Sequence, residues 1–317
     1  MRVGAWVRIG ISSCAIAVIL WCVPLAALSS VFAGFNNRWL WAALGSVLAM
    51  LAARWYRWQR LLAAGGVHVA SRDSARSLLV GFALSVVTPG RLGELGRCLL
   101  VSESQRAPVF LLNVLDRALD MWALLTCAVA SLMALAPRPY GVFGLSIWLA
   151  LLPAVLGLPN LTGSLSDLPW WSESFRQELR AARPALRPVP TAPLAVWALI
   201  STSLDLLTFF CLLRAFHQVS LRTALVTFPW IVTAGGLPIS VGGLGPREAV
   251  AVLLLARYGI PSAVACNVGL LLYAFSALLP ALIGGIWLAA STNRQMPQMP
   301  HIWERLSGAI QETRSRS

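Results

Sequence analysis

The sequence predicts an all-α fold, a polytopic membrane helical bundle with about six full spans and two re-entrant helical hairpins in an inverted repeat. Hydrophobic residues make up 58% of the 317-residue chain and charged residues only 12%. A single water-facing globule cannot bury so much apolar surface. Several apolar runs reach the roughly 20 residues that a helix needs to cross a bilayer, and two of the runs contain charged motifs rich in glycine and proline.

The uninterrupted apolar runs are each predicted to span the membrane as one helix. In chain order they are 9–31, 39–58, 109–136, 140–158, 193–215 and 262–290. The first run resembles a signal peptide, but its apolar part is longer than the about 7 to 15 residues typical of one, so we expect an uncleaved span. The second run ends in "RWYRWQR", where Arg54, Arg57 and Arg60 alternate with aromatic residues that suit the membrane interface.

Two further apolar runs, 78–101 and 223–256, are interrupted near their middle. The first contains "TPGRLGELGR" and the second contains "GGLPISVGGLGPRE". Proline removes a backbone hydrogen bond and glycine weakens a helix, so we expect neither run to form one straight helix. We predict instead that each run forms a re-entrant hairpin, which returns to the side of the membrane from which it entered.

The basic residues predict the orientation of the chain. All 25 are arginine, and the net charge is +13. With the N-terminus inside, the predicted inner loops hold 16 arginines, among them Arg54, Arg57 and Arg60, and the outer loops hold five. Because basic loops favour the cytoplasmic side, both termini are predicted to be cytoplasmic, at the inner or plasma membrane. Nucleic acid is not an expected partner, because no basic patch is interleaved with exposed aromatic residues.

Two polar segments are predicted to lie at the membrane surface. Between residues 159 and 193, arginines recur every three or four positions and form one face of a short helix. These are Arg176, Arg180, Arg183 and Arg187. The membrane domain is predicted to cover residues 1–292, and the segment 293–317, which contains "HIWERLSGAI", is expected to be a cytoplasmic amphipathic tail.

A weak internal repeat relates the two interrupted runs. A shift of 152 residues aligns Gly90 with Gly242 and Gly93 with Gly245, and an arginine and a glutamate lie close to the glycines in both copies. The predicted halves are 39–136 and 193–290. Three predicted spans separate the two interruptions, so the copies would be inverted, as in many transporters. The alternative is a pair of unrelated kinked helices.

Eight charged residues lie inside or beside the predicted membrane segments. They are Arg91, Glu94, Arg97, Asp116, Arg117, Asp120, Arg247 and Glu248. A charge at the centre of a membrane helix costs about 2.5 to 3.5 kcal/mol, so these residues are expected to be paired or functional. Glu94 and Arg97 have the spacing of a pair on one helix face. Asp116 and Asp120 also share a face, and their expected partner is an arginine from elsewhere, because Arg117 points about a quarter turn away.

The two glycine motifs predict a phosphate site. Glycine allows a backbone to approach a ligand closely, and the helix that follows directs free N–H groups and the positive end of its dipole towards the ligand. Arg91 or Arg247 could hold two phosphate oxygens with one guanidinium. A lipid headgroup is the phosphate that a membrane supplies. The alternative is that these charges only pair with one another or extend to the headgroups.

Several motifs together resemble the lysylphosphatidylglycerol synthase transmembrane-region family. They are "RWYRWQRLLAAGG", "TPGRLGELGR", "LDRALDMWALL", "LDLLTFFCLLRAF" and "GGLGPREAVAVLLL", in this order. The family is similar to the flippase half of the multiple peptide resistance factor. The resemblance covers almost the whole chain and implies a protein that translocates or handles lipids. Asp116 stands where the family usually has glutamate, which keeps the charge but shortens the reach.

The resemblance and the motifs together predict the substrate-binding residues. They are Pro89, Gly90, Arg91, Gly93, Glu94, Arg97, Asp116, Arg117, Asp120, Gly242, Gly243, Gly245, Arg247 and Glu248. The expected partners are membrane lipids: a phospholipid, a polyprenyl phosphate or a lipid of hopanoid pathways. A homo-oligomer or a lipid-modifying partner enzyme are further alternatives. No segment after residue 290 is long enough for the aminoacyl-transferase domain of the lysyl-lipid synthases, so synthesis of that lipid is not expected.

An enzyme and a non-transporting scaffold are the competing functions. Asp116 and Asp120 could hold a divalent ion, and some relatives are fused to glycosyltransferases. Against catalysis, the three histidines have no metal-binding spacing, and no nucleophile elbow or phosphate loop occurs. The six cysteines lack CxxC spacing and are expected to be small buried apolar residues. We therefore expect a transporter, with no cofactor and no metal.

Overall fold

The computed structural model describes residues 36–88, 92–100, 105–135, 138–164, 167–168, 173–236 and 245–290, and the regular structure in these ranges is entirely helical. The predicted all-α class is confirmed for them. The predicted first span, 9–31, and the predicted tail, 293–317, lie outside the described residues.

Ten α-helices are described, together with two 3₁₀ helices and one π-helical segment. The α-helices are α1 (Asn37–Ala64), α2 (Ser71–Val87), α3 (Arg106–Leu135), α4 (Arg138–Ser164), α5 (Glu173–Ala182), α6 (Thr191–Phe216), α7 (Leu221–Gly236), α8 (Pro246–Ala256), α9 (Ser262–Tyr273) and α10 (Leu279–Ala290). The 3₁₀ helix Leu92–Leu100, here called the 3₁₀ arm, follows α2, and a second one, Arg183–Leu186, follows α5. The π segment Ala274–Leu278 joins α9 to α10.

Helices α1 and α6 pack against each other in opposite directions. The N–H of Asn36 donates to the carbonyl of Ala215 near one end of the pair. Further along, Ser46 Oγ donates to the carbonyl of Leu204 over 2.8 Å. Since the residue numbers rise along α1 while those of their partners fall along α6, the two helices are antiparallel.

The chain folds back on itself at both predicted interruptions. Helix α2 ends at Val87 and the 3₁₀ arm begins at Leu92. A Cβ built on Gly93 would lie 2.1 Å from the carbonyl oxygen of Leu84, and one built on Gly81 would lie 2.8 Å from Arg97 Cγ. The 3₁₀ arm therefore runs back along α2, and we call this pair of elements the first hairpin.

The second hairpin consists of α7 and α8. Helix α7 ends at Gly236 and α8 begins at Pro246. A Cβ built on Gly235 would lie 2.6 Å from Nη2 of Arg247, so the first turn of α8 lies against the last turn of α7. The predicted interruption of the helix is thus confirmed at both motifs.

Two apolar cores hold the bundle together. The first is built around Trp58, Phe82 and Leu115, and the second around Phe209 and Phe228. The helical run formed by α9, the π segment and α10 joins the two cores. The buried apolar residues of α9 before Tyr273 pack in the second core, whereas Tyr273, the last residue of α9, and the buried residues of the π segment pack in the first. The helices that precede and follow each hairpin are therefore held in place by apolar contacts in these cores.

Within the part of the chain that the structure describes, two helices have the length and apolar character of a membrane span. They are Thr191–Phe216 and Ser262–Trp287, the latter continuous through the π segment. A third candidate is the bent pair Gly144–Leu151 and Pro153–Ser164, whose parts meet at 54°. Helices α1 and α3, with 28 and 30 residues, are about 42 and 45 Å long. Their crossing of the membrane, and the total of six spans, stay predictions.

Candidate functional site

Six charged side chains meet between α1, the first hairpin and α3. They are Arg57, Glu94, Arg97, Asp116, Arg117 and Asp120, here called the charge cluster. All except Arg117 are buried. Three guanidinium groups face three carboxylates, so the formal charge of the cluster is zero. Five of the six were predicted as site residues; Arg57 was not.

Arg57 is the arginine that Asp116 and Asp120 require. Its Nε donates to Asp116 Oδ1 over 2.8 Å, and its Nη2 donates to Asp120 Oδ1 over 2.6 Å. The two carboxylates lie one helical turn apart on α3, a separation that one planar guanidinium can bridge. Its side chain is fully buried among these carboxylates, so it is not exposed as the arginine of an inner loop was expected to be. The position of Arg57 relative to the membrane interface stays a prediction.

Arg97 connects the first hairpin to α3. Its Nη1 donates to Asp116 Oδ2 over 2.8 Å, whereas its Nη2 is 3.5 Å from Glu94 Oε2. The predicted pair of Glu94 and Arg97 is present, because residues three apart stack in a 3₁₀ helix, but Asp116 is the closer partner. The guanidinium also lies 5.0 Å above the ring of Trp58, a cation–π contact.

Arg117 closes the cluster from α3. Its Nη1 contacts Glu94 Oε2, and its Nη2 lies 2.8 Å from Asp120 Oδ2. The prediction that Arg117 points away from the aspartates is therefore wrong. The Cα–Cβ bond of Arg117 does point in a different direction from those of the aspartates. Its side chain has four rotatable bonds, however, and is long enough to reach Asp120, three residues further along the helix. With 23% of its side chain exposed, Arg117 is the most accessible member of the cluster.

Backbone polar groups of the first hairpin form hydrogen bonds with nearby side chains. Gly93 N–H donates to Thr88 Oγ1 over 2.7 Å, and Asn113 Nδ2 donates to the carbonyl of Glu94 over 2.7 Å. Only glycine fits at position 93, because a Cβ would overlap the Leu84 carbonyl. Gly93 was predicted to let the backbone approach a ligand closely. In the structure, the backbone at Gly93 instead approaches α2 closely. Pro89, Gly90 and Arg91 lie outside the described residues.

The second hairpin begins its return helix at Gly245. This glycine has φ of +93°, a value that other residues rarely adopt. Its N–H donates to Glu248 Oε2 over 2.6 Å, so the carboxylate caps the start of α8. Glu248 is buried, and its Oε1 has no hydrogen-bond partner among the described residues. Gly242 and Gly243 are not among the described residues.

Both hairpins place an arginine in the same surroundings. Each arginine packs against a glycine of the opposite arm and lies over an aromatic ring. In the first hairpin Arg97 packs against Gly81 and lies over Trp58 of α1, and in the second Arg247 packs against Gly235 and lies over Tyr273 of α9. Arg247 is buried, and its guanidinium is 5.2 Å from the ring centre of Tyr273. A side chain at either glycine would occupy the space that the arginine fills.

An apolar groove of about 340 Å³ lies beside the residues that follow Tyr273. It is lined by Leu40, Trp41, Leu44, Ala274, Phe275 and Leu279. One wall is the π segment, an irregularity that often marks a functional position in a helix. Within the described ranges, no three His, Cys, Asp or Glu side chains come together as a metal site requires.

Comparison with protein families identifies the chain. A family model described as "Lysylphosphatidylglycerol synthase TM region" matches residues 5–284. The match covers most of the 317 residues, so the chain belongs to that family, and the predicted resemblance is confirmed. Together with the apolar helices, membership identifies a membrane protein related to lipid handling. Among curated proteins, no relative matches the chain.

Proposed function

We propose that this member of the lysylphosphatidylglycerol synthase transmembrane-region family transports a lipid with a phosphate-containing headgroup across the membrane. The main support for this proposal is a feature that the two hairpins share. Each hairpin holds a buried arginine between a glycine and an aromatic ring. Paired interrupted helices in inverted halves are typical of transporters that bind their substrate near the bilayer midplane.

An inverted repeat accounts for the order of the helices. In each half a long helix, a hairpin and a second long helix follow one another. Helix α1 ends at Ala64 and α6 ends at Phe216, which is the shift of 152 residues that aligns the glycine motifs. Helices α1 and α6 would be equivalent under this shift, and their antiparallel packing is what inverted copies would produce. The hairpins would then be re-entrant from opposite sides.

We place the phosphate at the second hairpin. The start of α8 offers the positive end of a helix dipole and backbone N–H groups, and Arg247 occupies its first turn. In the charge cluster, every arginine contacts a carboxylate. The cluster would form a rigid wall of the site, while Arg247 and Arg91 would hold phosphate oxygens.

The apolar groove suits the hydrocarbon part of the same lipid. Its residues Ala274 and Phe275 directly follow Tyr273, whose ring lies beneath Arg247. A lipid with its phosphate near Arg247 would have an apolar surface close by for one chain. Burial of a hydrocarbon chain contributes about 0.8 kcal/mol per methylene group, so even part of one chain in the groove would add to the affinity.

Lipid translocation in proteoliposomes tests the proposal. The purified protein is reconstituted with fluorescent phosphatidylglycerol, a fluorescent polyprenyl phosphate or a fluorescent glycolipid without phosphate, and movement is followed by quenching of the outer leaflet. We expect movement of a phosphate lipid only. We expect Arg247→Gln to slow it about tenfold or more, since a hydrogen bond to a charged group contributes about 1.5 to 3 kcal/mol.

Arg257→Gln is the matched control, because Arg257 is exposed at the other end of α8. It should keep the wild-type rate. Equal rates for Arg247→Gln and wild type would contradict the assignment of the phosphate to the second hairpin. If the wild-type protein moved no lipid but bound and stimulated a lipid-modifying enzyme, the scaffold alternative would replace the transporter.

A further inference from the structure

Glu248 differs from the other buried carboxylates of the described ranges because it forms no ion pair there. It is 8% exposed. Its Oε2 accepts the N–H of Gly245, and its Oε1 has no partner among the described residues. Ion pairs within the described part of the chain hold every carboxylate of the charge cluster, whereas none is formed by Glu248. A polar oxygen this deeply buried without a donor is costly unless something binds to it.

The neighbours of Glu248 leave one oxygen for a small ligand. On α9, a Cβ built on Gly269 would lie 3.4 Å from Glu248 Cγ, and Cys266 is close enough to interact electrostatically with the carboxylate. Tyr273 is the other titratable residue of α9, and its ring faces Arg247. Helix α7 has one titratable residue, Arg222, near the end of the helix opposite to Gly235.

The two hairpins treat their glutamates differently. Glu94 contacts the guanidinium groups of both Arg97 and Arg117. Glu248 accepts the N–H of Gly245 and forms no ion pair among the described residues. Binding of a proton to Glu248 would therefore break no ion pair of the described residues, whereas binding to Glu94 would break two.

We propose that Glu248 binds a proton on Oε1 from one side of the membrane and releases it on the other. This exchange changes how firmly the start of α8, in the second hairpin, is held to the turn at Gly245. The ionised carboxylate fixes the positive-φ turn at Gly245 by accepting its N–H. The protonated carboxyl is a weaker acceptor, so the start of α8 separates from the turn more readily. Proton binding stands on its own, whereas its coupling to lipid movement rests on the proposed function.

Infrared difference spectra between acidic and alkaline buffer test proton binding directly. The protein is placed in lipid nanodiscs, and the C=O stretch of a protonated buried carboxyl is recorded. We expect this band in the wild type, its loss in Glu248→Gln, and its return at a shifted position in Glu248→Asp. Glu173→Gln, at an exposed position, should keep the wild-type band. Superimposable spectra of wild type and Glu248→Gln would overturn the proposal.

Proteoliposomes with an imposed pH gradient test the coupling. The rate of lipid movement in the wild type should change by up to about tenfold per pH unit of gradient. In Glu248→Gln the ratio of rates with and without the gradient should be near one, whatever the absolute rate, whereas Arg257→Gln should keep the wild-type ratio. A sodium gradient that drives movement in place of the pH gradient would overturn the proposal.

The two tests separate this inference from the proposed function. If the wild type moved lipid at a rate independent of pH and no band depended on Glu248, the inference would fail while transport stood. If the band depended on Glu248 but no lipid moved, the site would bind a proton and the transport proposal would fail.

Discussion

Arg57 and Asp116 lie 59 residues apart in the chain, and Arg57 Nε donates to Asp116 Oδ1 over 2.8 Å in the protein interior. The other oxygen of the same carboxylate accepts a hydrogen bond from Arg97, also over 2.8 Å. Asp116 therefore joins α1 to the first hairpin through two guanidinium groups. The charges that appeared misplaced in an apolar sequence hold three elements together.

Replacing Arg57 should destabilise the protein strongly. In Arg57→Met the carboxylates of Asp116 and Asp120 lose a shared partner in the interior, and removal of one member of a buried ion pair costs about 3 to 5 kcal/mol. The free energy of unfolding in detergent micelles measures the effect. Arg60→Met is the control on the same helix, because Arg60 is exposed, and it should change stability by less than about 0.5 kcal/mol. Equal stabilities of the two variants would show that the cluster is not stabilising.

The first hairpin should not tolerate a side chain at Gly93. A Cβ there would lie 2.1 Å from the Leu84 carbonyl oxygen, which is backbone and cannot move aside. We expect Gly93→Ala to destabilise the protein by about 3 kcal/mol or more. Gly157→Ala is the control, since nothing lies within 4 Å of a Cβ at that helical position. Thermal unfolding followed by circular dichroism compares them, and a Gly93→Ala protein as stable as the control would contradict the closed hairpin.

The sequence predicted the interruptions of the helices better than the contacts of the charges. Proline and glycine act on the backbone locally, so "TPGRLGELGR" was enough to predict where α2 ends. The partner of Asp116 is fixed by tertiary packing, and no local rule connects it with Arg57. A usable signal existed, because two aspartates on one face of a helix in an apolar run require a cation. The aromatic residues around Arg57 indicated the membrane interface instead.

The packing of arginines on glycines could not be predicted from the sequence. Gly81 lies in an apolar run without any turn signal, and Gly235 opens the second interrupted motif, but nothing local at either position indicates the guanidinium beside it. The direction of Arg117 was mispredicted because a helical wheel gives the direction of Cβ and ignores the reach of a long side chain. Gly90 and Gly242, which the shift of 152 residues aligns, lie outside the described residues, so the phosphate site predicted at them stays a prediction.

Alanine at the two arginine-facing glycines should have different effects. At Gly235 a Cβ would meet Nη2 and Nε of Arg247, the far end of a flexible side chain. Gly235→Ala should therefore displace the guanidinium from Tyr273 and slow lipid movement about tenfold, with a stability change below about 1 kcal/mol. At Gly81 a Cβ would meet Cγ of the fully buried Arg97, so Gly81→Ala should destabilise by about 1 to 3 kcal/mol.

Gly45→Ala is the control for both substitutions, because nothing lies within 4 Å of a Cβ at that exposed position of α1. It should stabilise slightly, by about 0.5 to 1 kcal/mol. Lipid movement and unfolding are measured on the same preparations. A Gly235→Ala protein that unfolds early, or that moves lipid at the wild-type rate, would show that Arg247 is not held as described.

The contacts of Asp167 with Arg180 and Arg183 should respond to acid. Hydrogen bonds from Arg183 and Arg180 lower the pKa of Asp167, whose side chain is 50% exposed. Because the pKa is lower in the folded protein, the stabilising contribution is present above the unfolded pKa and is lost as the pH falls through the folded one. Asp167→Asn should therefore raise hydrogen exchange in α5 at neutral pH to the level of the acid form. Asp73→Asn, exposed in α2, should not.

The ion pair between Arg54 and Asp205 should couple the two halves of the chain. Arg54 Nη2 donates to Asp205 Oδ2 over 2.7 Å, and both side chains are largely buried between the antiparallel α1 and α6. In a double-mutant cycle with Arg54→Met and Asp205→Leu, we expect a coupling energy of about 0.5 to 3 kcal/mol, measured from free energies of unfolding. The pair Arg176 and Glu173 is the control, since it lies within α5 on the surface and should couple by about 0.5 kcal/mol or less. A coupling energy for Arg54 and Asp205 no larger than that of the surface pair would mean that apolar packing alone holds α1 to α6.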